Sequence, residues 1–460
     1  MALFDALEQQ LATLEARGLR RVLRTVASPC GPALNVDGKP LLAFASNDYL
    51  GLAAHPQLVQ ALQDGAREYG VGSGASHLIS GHYAVHAQLE KRLAAMLTES
   101  IPHARALYFG TGYMANLATI TALAASASGL RRRSAATGTI TDTGTATTSL
   151  TAAPAGVTAT TGAASTVAAT VAHASGKIEA TAEAGAPAAD CTIFSESLNH
   201  ASLIDGARLA RCAVEIYPHA DVHALQAQLA ACTSSVKIVA TDGVFSMDGD
   251  LAPLAQILAL CEQYQAFLLV DDAHGFGVLG PDGHGILQHF GLSSPNLIYM
   301  GTLGKAAGVG GAFVAADERV IEWLIQRARP YIYTTAAAPA LAQALLASLD
   351  LIEGAEGRSR RAHLQALIAQ WRQAMAHNGK WPCLPSNTAI QPLIIGSNAD
   401  ALRVAQALRT RGIWVPAIRP PTVPAGTARL RVTLSSAHTH EQVQQLIDVL
   451  QQLKSEVADE

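Results

Sequence analysis

The chain reads Asn296-Leu-Ile-Tyr-Met-Gly-Thr-Leu-Gly-Lys305-Ala-Ala-Gly at the place that decides its fold. A short apolar run, typical of a buried strand, ends there in glycine, threonine and one lysine. An ammonium is costly to desolvate at such a position, so the pKa of Lys305 is expected to fall. A neutral amine can form a Schiff base with an aldehyde, and we predict that role for Lys305.

A second segment, Ala266-Phe-Leu-Leu-Val-Asp271-Asp272-Ala-His274, indicates which aldehyde this is. Its apolar run predicts a parallel strand buried on both faces, and the acids begin where that strand ends. Ligands of open α/β sheets bind beyond the carboxyl ends of the strands. An aspartate there can keep the pyridine nitrogen of pyridoxal 5'-phosphate protonated, which makes the ring an electron sink. We therefore predict that Asp271 and Lys305 bind this cofactor.

Other readings of these two segments are less consistent with the sequence. A P-loop needs a glycine and a hydroxyl residue where this chain has Tyr299 and Ala306. The acidic turn after Val270 could instead be a helix cap or an exposed turn. A metal site there would lack a supporting cluster of cysteine, histidine or carboxylate ligands, so no metal is expected.

Eight blocks, in order along the chain, resemble the α-oxoamine synthases, which are fold-type I pyridoxal-phosphate enzymes that join an amino acid to an acyl-CoA. The blocks are Ser46-Asn-Asp-Tyr-Leu-Gly-Leu, Gly72-Ser-Gly-Ala-Ser, Ile79-Ser-Gly-His, Leu198-Asn-His-Ala-Ser-Leu, Gly243-Val-Phe-Ser-Met-Asp-Gly-Asp, Val270-Asp-Asp-Ala-His-Gly, Gly301-Thr-Leu-Gly-Lys and Ala417-Ile-Arg-Pro-Pro-Thr-Val-Pro-Ala-Gly-Thr-Ala-Arg-Leu-Arg. The last block is most similar to the branch that uses L-alanine and pimeloyl-CoA, or a pimeloyl-carrier protein. A sibling activity, chiefly glycine with acetyl-CoA, and a catalytically idle structural subunit remain as alternatives.

The resemblance implies an α/β architecture in three parts. These are an N-terminal arm (1–46), a large domain with a mainly parallel seven-stranded sheet sandwiched by helices (47–350), and a small C-terminal α/β domain (351–460). It also implies a homodimer with sites at the interface, in which the segment Tyr331-Ile-Tyr-Thr-Thr reaches the partner's site.

The cofactor contacts follow from chemistry, and the resemblance assigns their positions. Gly112 and Tyr113 open a helix after a strand, where free backbone N–H groups suit a phosphate. Thr302 resembles the family's phosphate-binding hydroxyl, and His200 the histidine that stacks on the pyridine ring. Ser246 and His274 resemble the groups that bind the phenolic oxygen.

The substrate contacts come from the resemblance alone. Arg419 resembles the arginine that pairs with the amino acid carboxylate, and Thr422 and Asn47 match substrate-contact positions. An N-terminal arginine is also expected, and among Arg20, Arg21 and Arg24 the spacing favours Arg24. A solvated helix face is the other interpretation of that cluster.

Composition is that of a large enzyme without a nucleic-acid partner. The chain has 460 residues, of which 15% are charged, and a formal net charge of -4. Its six cysteines are scattered without a Cys-x-x-Cys pair, which fits a reducing cytoplasm. The N-terminus lacks the features of a signal peptide, and no apolar run is long enough to span a membrane.

Residues 126–189 form the most irregular stretch, rich in alanine, threonine, glycine and serine and without an aromatic residue. Such a segment can bury too little to offset its ordering entropy, so we predict an insertion that forms a surface loop. It links a helical segment, 114–125, to the strand-like run after Cys191, and such links lie at the edge of the sheet opposite the chemistry. A docking patch at Arg131-Arg-Arg is the alternative.

Deletion of residues 130–188 is therefore expected to leave cofactor binding intact. The measurement is the visible absorbance of the bound cofactor in the purified, folded deletion variant. A folded variant that no longer binds cofactor would show that the insertion belongs to the site.

Overall fold

The structure is a computed structural model that describes residues 2–136, 190–376 and 381–456. Before the central sheet lie α1 (Ala2–Ala16), β1 (Ala33–Val36), β2 (Lys39–Ala43), α2 (Pro56–Tyr69), a π-helical turn (His77–Gly81) and α3 (Ala84–Met96). The next elements are β3 (Ala104–Phe109), α4 (Gly112–Ala136), β4 (Cys191–Glu196), α5 (Ala201–Leu209), β5 (Ala213–Tyr217), α6 (Val222–Ala231), β6 (Val236–Asp242), α7 (Leu254–Gln263), β7 (Phe267–Asp271), α8 (Ile286–Phe290), β8 (Leu297–Thr302) and β9 (Ala312–Asp317). The chain continues through α9 (Glu318–Arg327), α10 (Arg329–Ile332), α11 (Pro339–Glu353), α12 (Ala355–Met375), β10 (Ile390–Gly396), α13 (Asn398–Thr410), β11 (Ile413–Trp414), β12 (Ala417–Ile418), β13 (Ala428–Thr433) and α14 (His440–Glu456).

The central sheet has seven strands in the order β3-β9-β8-β7-β6-β4-β5. Neighbouring strands are parallel except where β9 pairs with β3 and β8. The predicted α/β fold with a mainly parallel seven-stranded sheet is thus confirmed. Parallel pairing brings the carboxyl ends of β6, β7 and β8 to one edge, and Asp242 lies directly opposite Asp271 in that register.

Helices cover both faces of this sheet. Apolar side chains alternate between the two faces along each strand, so each face needs a layer to pack against. Leu268 and Val270 of β7 pack into a core with Leu89 of α3 and Leu345 of α11. Leu269, between them, joins a second core with residues of α4, α5 and α9. The strand is apolar from Phe267 to Val270 because both of its faces are buried.

Two small sheets join the ends of the chain. Strands β10, β13 and β12 form an antiparallel sheet, and β1, β2 and β11 form the other. The parallel pairing of β11 with β2 ties the N-terminal segment to the C-terminal part of the chain. Within the described residues, no helix combines the length and the apolar character that a membrane span requires.

The predicted insertion is only partly visible. Helix α4 continues to Ala136, so the expectation that the helix ends at residue 125 is wrong. Alanine-rich sequence has high helix propensity, and the low aromatic content that suggested a loop does not oppose a helix. Residues 137–189 lie outside the described residues.

Candidate active site

A cavity of about 190 Å³ lies at the carboxyl ends of β6, β7 and β8. The residues that line it come from five segments of the chain and include every predicted cofactor contact: Gly112, Tyr113, His200, Ser202, Asp242, Ser246, Asp271, Ala273, His274, Met300, Thr302 and Lys305. Their convergence follows from the sheet, since each segment follows a strand or begins a helix at that edge.

Lys305 presents its amine in this cavity. The Nζ atom lies 2.9 Å from Nε2 of His274. Burial lowers the pKa of Lys305 to about 8, although the negative charge of Asp271 acts in the opposite direction. A minor fraction of the amine, about a fifth near pH 7.4 and far more than for an ordinary lysine, is therefore neutral and able to act as a nucleophile or a base.

Asp271 is held in one orientation by two donors. Its Oδ2 accepts a hydrogen bond of 2.7 Å from the side-chain amide of Asn116, and its Oδ1 accepts one of 3.1 Å from the N–H of Ala273. Asn116 also donates to the hydroxyl of Ser202 at 2.8 Å. The carboxylate is thus fixed at the end of β7 by α4 and by the turn after the strand.

His200 and His274 are both neutral rings in the cavity. Burial lowers the pKa of His200, and burial followed by the charge of Lys305 places the pKa of His274 well below its usual value. His200 caps α5 by accepting the N–H of Ser202 at Nδ1. Nδ1 of His274 lies 2.5 Å from the hydroxyl of Tyr49. Both rings are therefore oriented by contacts on the side away from the amine.

The N-terminus of α4 lies at the cavity and is suited to binding an anion. Gly112 and Tyr113 begin the helix, so their N–H groups have no partner within it. These N–H groups and the positive end of the helix favour a phosphate. The hydroxyl of Thr302 lies at the same cavity and donates to the carbonyl of Gly311 at 3.3 Å.

These groups fit the predicted cofactor. A buried amine with a lowered pKa can react with its aldehyde. An anchored carboxylate can bind its pyridine nitrogen, and a flat neutral imidazole can stack on the face of its ring. The N-terminus of the helix can bind its phosphate. All four features occur in one cavity.

The predicted substrate residues are less concentrated. Arg419 lines a neighbouring cavity with Leu19, Arg21 and Thr422, and its guanidinium donates to the carbonyl of Gly18. Thr422 also lines a third cavity, which reaches Ser246 and so adjoins the first. This row of adjoining cavities, which share Ser246 and Thr422 as lining residues, is a candidate substrate path.

Arg24, the N-terminal arginine that the spacing favoured, is not brought to this path. It pairs with Asp37 at 3.1 Å, and Asp37 pairs in turn with Arg409 at 2.9 Å. Arg21 lies in the cavity with Arg419 instead. The local spacing could not separate these arginines because the segment around them is an irregular chain without helical periodicity.

Sequence reasoning missed Asp242 and Arg431. Asp242 ends β6 as Asp271 ends β7, and its Oδ2 accepts the backbone N–H of His200 at 3.1 Å. Burial and the charge of Asp271 raise its pKa well above the usual value. The signal that could have found it is its place at the end of an apolar strand, immediately before a block that carried the resemblance.

Arg431 is a buried cation beside the site. It donates to the carbonyl of Ser246 at 2.6 Å and to Oδ1 of Asn47 at 3.1 Å, and only 5% of the residue is exposed. In the described parts of the chain, no carboxylate lies within ion-pair distance of it. Its charge lowers the pKa of Lys305 and of His274. An uncompensated buried guanidinium favours an anionic ligand.

Comparison with known proteins relates this geometry to one family. The family model described as aminotransferase class I and II matches residues 39–130 and 146–450. An 8-amino-7-oxononanoate synthase from Janthinobacterium sp. (strain Marseille) is 57% identical, and the match covers 99% of each chain.

Solved structures are similar over the same range. The crystal structure of an 8-amino-7-oxononanoate synthase from Francisella tularensis has a TM-score of 0.66 and 27% identity, and the match covers 91% of this chain and 99% of that one. A serine palmitoyltransferase variant from S. paucimobilis, with bound PLP and myriocin, has a TM-score of 0.78 at 23% identity, covering 100% of this chain and 99% of that one. The last likeness shows the fold alone.

The lowered pKa of Lys305 predicts a pH dependence for cofactor uptake. Only the neutral amine attacks an aldehyde, so uptake of pyridoxal 5'-phosphate by the apoprotein is expected to accelerate as pH rises through about 8 and then to level off. Below that value the rate is expected to fall about tenfold per pH unit. Stopped-flow absorbance measures this rate, with Lys305→Ala as the control that lacks the amine. A rate that does not change between about pH 6.5 and 9 would contradict the lowered pKa.

Proposed function

This chain belongs to the aminotransferase class I and II family and, within it, to the 8-amino-7-oxononanoate synthases, and from that we propose that it condenses L-alanine with a pimeloyl thioester. The products are 8-amino-7-oxononanoate, CO2 and the free thiol, and the reaction is a step of biotin biosynthesis. The observation that carries this proposal is 57% identity over 99% of both chains. The cavity that joins Lys305 to Asp271 supports it with matching chemistry.

Bound pyridoxal 5'-phosphate supplies an electron sink for the electron pair that remains on Cα of alanine after proton removal. Lys305, as a neutral amine, removes that Cα proton and later returns a proton to the product. Asp271 keeps a proton on the pyridine nitrogen, and the hydrogen bond from Asn116 holds its carboxylate in place. His200 lies against the ring face.

The remaining cofactor contacts orient the site. We assign the phosphate to the N–H groups of Gly112 and Tyr113 and to the hydroxyl of Thr302. Ser246 and His274 hold the phenolic oxygen, and Tyr49 fixes the His274 ring through Nδ1. With the cofactor bound, these contacts would fix its orientation relative to the Lys305 amine.

Two arginines are candidates for the carboxylate of alanine. Arg419 holds this role in the family resemblance, and it lines the neighbouring cavity. Arg431 is favoured by its electrostatic effect on Lys305 and by its contact with Asn47, a predicted substrate residue. We propose that Arg431 binds the carboxylate, and that Arg419 and Thr422 lie along the path of the acyl thioester. A substrate contact by Arg24 stays a prediction.

The assembly and location belong to the same proposal. We propose a cytoplasmic homodimer, with the N-terminal arm, large domain and small domain divided at residues 46 and 350. The acyl donor is pimeloyl-CoA or its carrier-protein equivalent.

The proposed condensation is tested by mixing the purified enzyme with L-alanine and pimeloyl-CoA and measuring free thiol, with mass spectrometry of the product. Activity with alanine is expected, and glycine with acetyl-CoA is expected to react much more slowly. Lys305→Ala is expected to bind the cofactor and to lose turnover by a factor of about 10² to 10⁴, since general-base catalysis is removed. Normal turnover by Lys305→Ala would disprove the role of this lysine, and a preference for glycine would move the function to a sibling synthase.

The assignment of the carboxylate predicts a contrast between two variants. Loss of a charge-assisted contact costs about 1.5–3 kcal/mol, so Arg431→Gln is expected to lower kcat/KM for alanine roughly 10- to 100-fold. Arg419→Gln is expected to affect mainly the KM for pimeloyl-CoA, and Arg409→Gln, which changes the ion pair with Asp37, serves as the control. The opposite pattern would give the carboxylate to Arg419.

A further inference from the structure

Three histidines outside the active site converge on one point. His77 begins the π-helical turn, His82 follows that turn, and His86 lies in the first turn of α3. One ring nitrogen from each lies within 4.8 Å of the other two. Nδ1 of His77 and Nδ1 of His82 are 3.0 Å apart. None of the three lines the cofactor cavity.

His86 leaves one ring nitrogen without a partner. Its Nδ1 accepts the backbone N–H of Tyr83 at 3.1 Å, whereas Nε2 is buried and has no hydrogen-bond partner in the structure. The residue is fully buried. Since Nδ1 accepts a hydrogen bond, the neutral ring carries its proton on Nε2, and that proton must move to Nδ1 before Nε2 can bind a cation.

Glu90 lies behind the cluster in the position of a supporting carboxylate. One of its oxygens is 3.8 Å from Nε2 of His82, and the other accepts the N–H of Tyr108 at 2.9 Å. Histidine ligands of metals commonly donate their second N–H to such a carboxylate.

We propose that His77, His82 and His86 bind a divalent transition metal ion, for which Zn²⁺ is the best match. Three imidazoles with a further position open to water are a ligand set that zinc accepts. His82 binds through Nδ1 and donates its Nε2–H to Glu90. His86 binds through Nε2, and its proton moves to Nδ1 with loss of the hydrogen bond from Tyr83. His82 is exposed, which gives the ion a route to the site.

The metal would join segments that already meet here. The ring of His77 stacks on Tyr331, with centroids 4.7 Å apart. Ser76 forms a β-bridge with Thr335, and the hydroxyl of Ser73 donates to the carbonyl of Ala336 at 2.5 Å. The site therefore fixes the π-helical turn to α3 and, through Tyr331, to α10. This role is structural.

The test is equilibrium dialysis of the cofactor-loaded enzyme, without a histidine tag, against buffered Zn²⁺ after treatment with a chelator. We expect one zinc ion per chain by elemental analysis. His82→Ala is expected to bind zinc at least about 100-fold more weakly, and Glu90→Gln about 10- to 100-fold more weakly. His223→Ala, which changes an exposed histidine on α6, is the matched control and should bind zinc as the native chain does.

Circular dichroism and the absorbance of the bound cofactor establish that each variant is folded. If His82→Ala does not fold, Glu90→Gln, which leaves all three ligands in place, supplies the decisive comparison. The proposal is overturned if the native chain binds no stoichiometric zinc. It is also overturned if the folded His82→Ala or Glu90→Gln variant binds zinc as tightly as His223→Ala.

Discussion

The burial of one amine between two carboxyl groups is the constraint on which this structure depends. Lys305 is largely buried, and burial is the largest influence on its pKa. The carboxyls of Asp271 and Asp242 oppose that effect because parallel pairing of β6 and β7 places them side by side. Without those carboxyls, burial would lower the pKa of the Lys305 amine further still. The pairing of strands in the sheet therefore sets the pKa of the amine on which the chemistry depends.

The sequence predicted the parts of this arrangement that are encoded locally. Apolar runs that end in a lysine or an aspartate identify Lys305 and Asp271 because strand burial and strand ends are visible in the residues themselves. Arg431 and Asp242 needed knowledge of which segments become neighbours. Asn47 and Arg431 are 384 positions apart in the chain, yet they share a hydrogen bond. No local sequence pattern can indicate a contact between two residues so far apart in the chain.

The sequence interpretation and the structure differ at a few places. Arg24 was favoured by spacing, and its substrate contact stays a prediction, but its partner Asp37 lies in the turn between β1 and β2, whose place depends on pairing with β11. The end of α4 was placed too early because composition was taken as evidence of a loop, although local helix propensity favours the longer helix. The spacing of His77, His82 and His86 is readable in the sequence, whereas the convergence of their ring nitrogens depends on the folded chain.

The two neighbouring acids show how the fold gives similar residues different roles. Asp271 receives side-chain and backbone donors from Asn116 and Ala273, which fix both of its oxygens. Asp242 is equally buried, but its carboxyl accepts the N–H of His200, and burial with the charge of Asp271 raises its pKa. Two carboxylates this close in a low-dielectric site cannot both ionise cheaply. Burial therefore disfavours the charge on Asp242, whose carboxyl positions His200 by accepting its backbone N–H, while Asp271 is the acid that we assign to the cofactor.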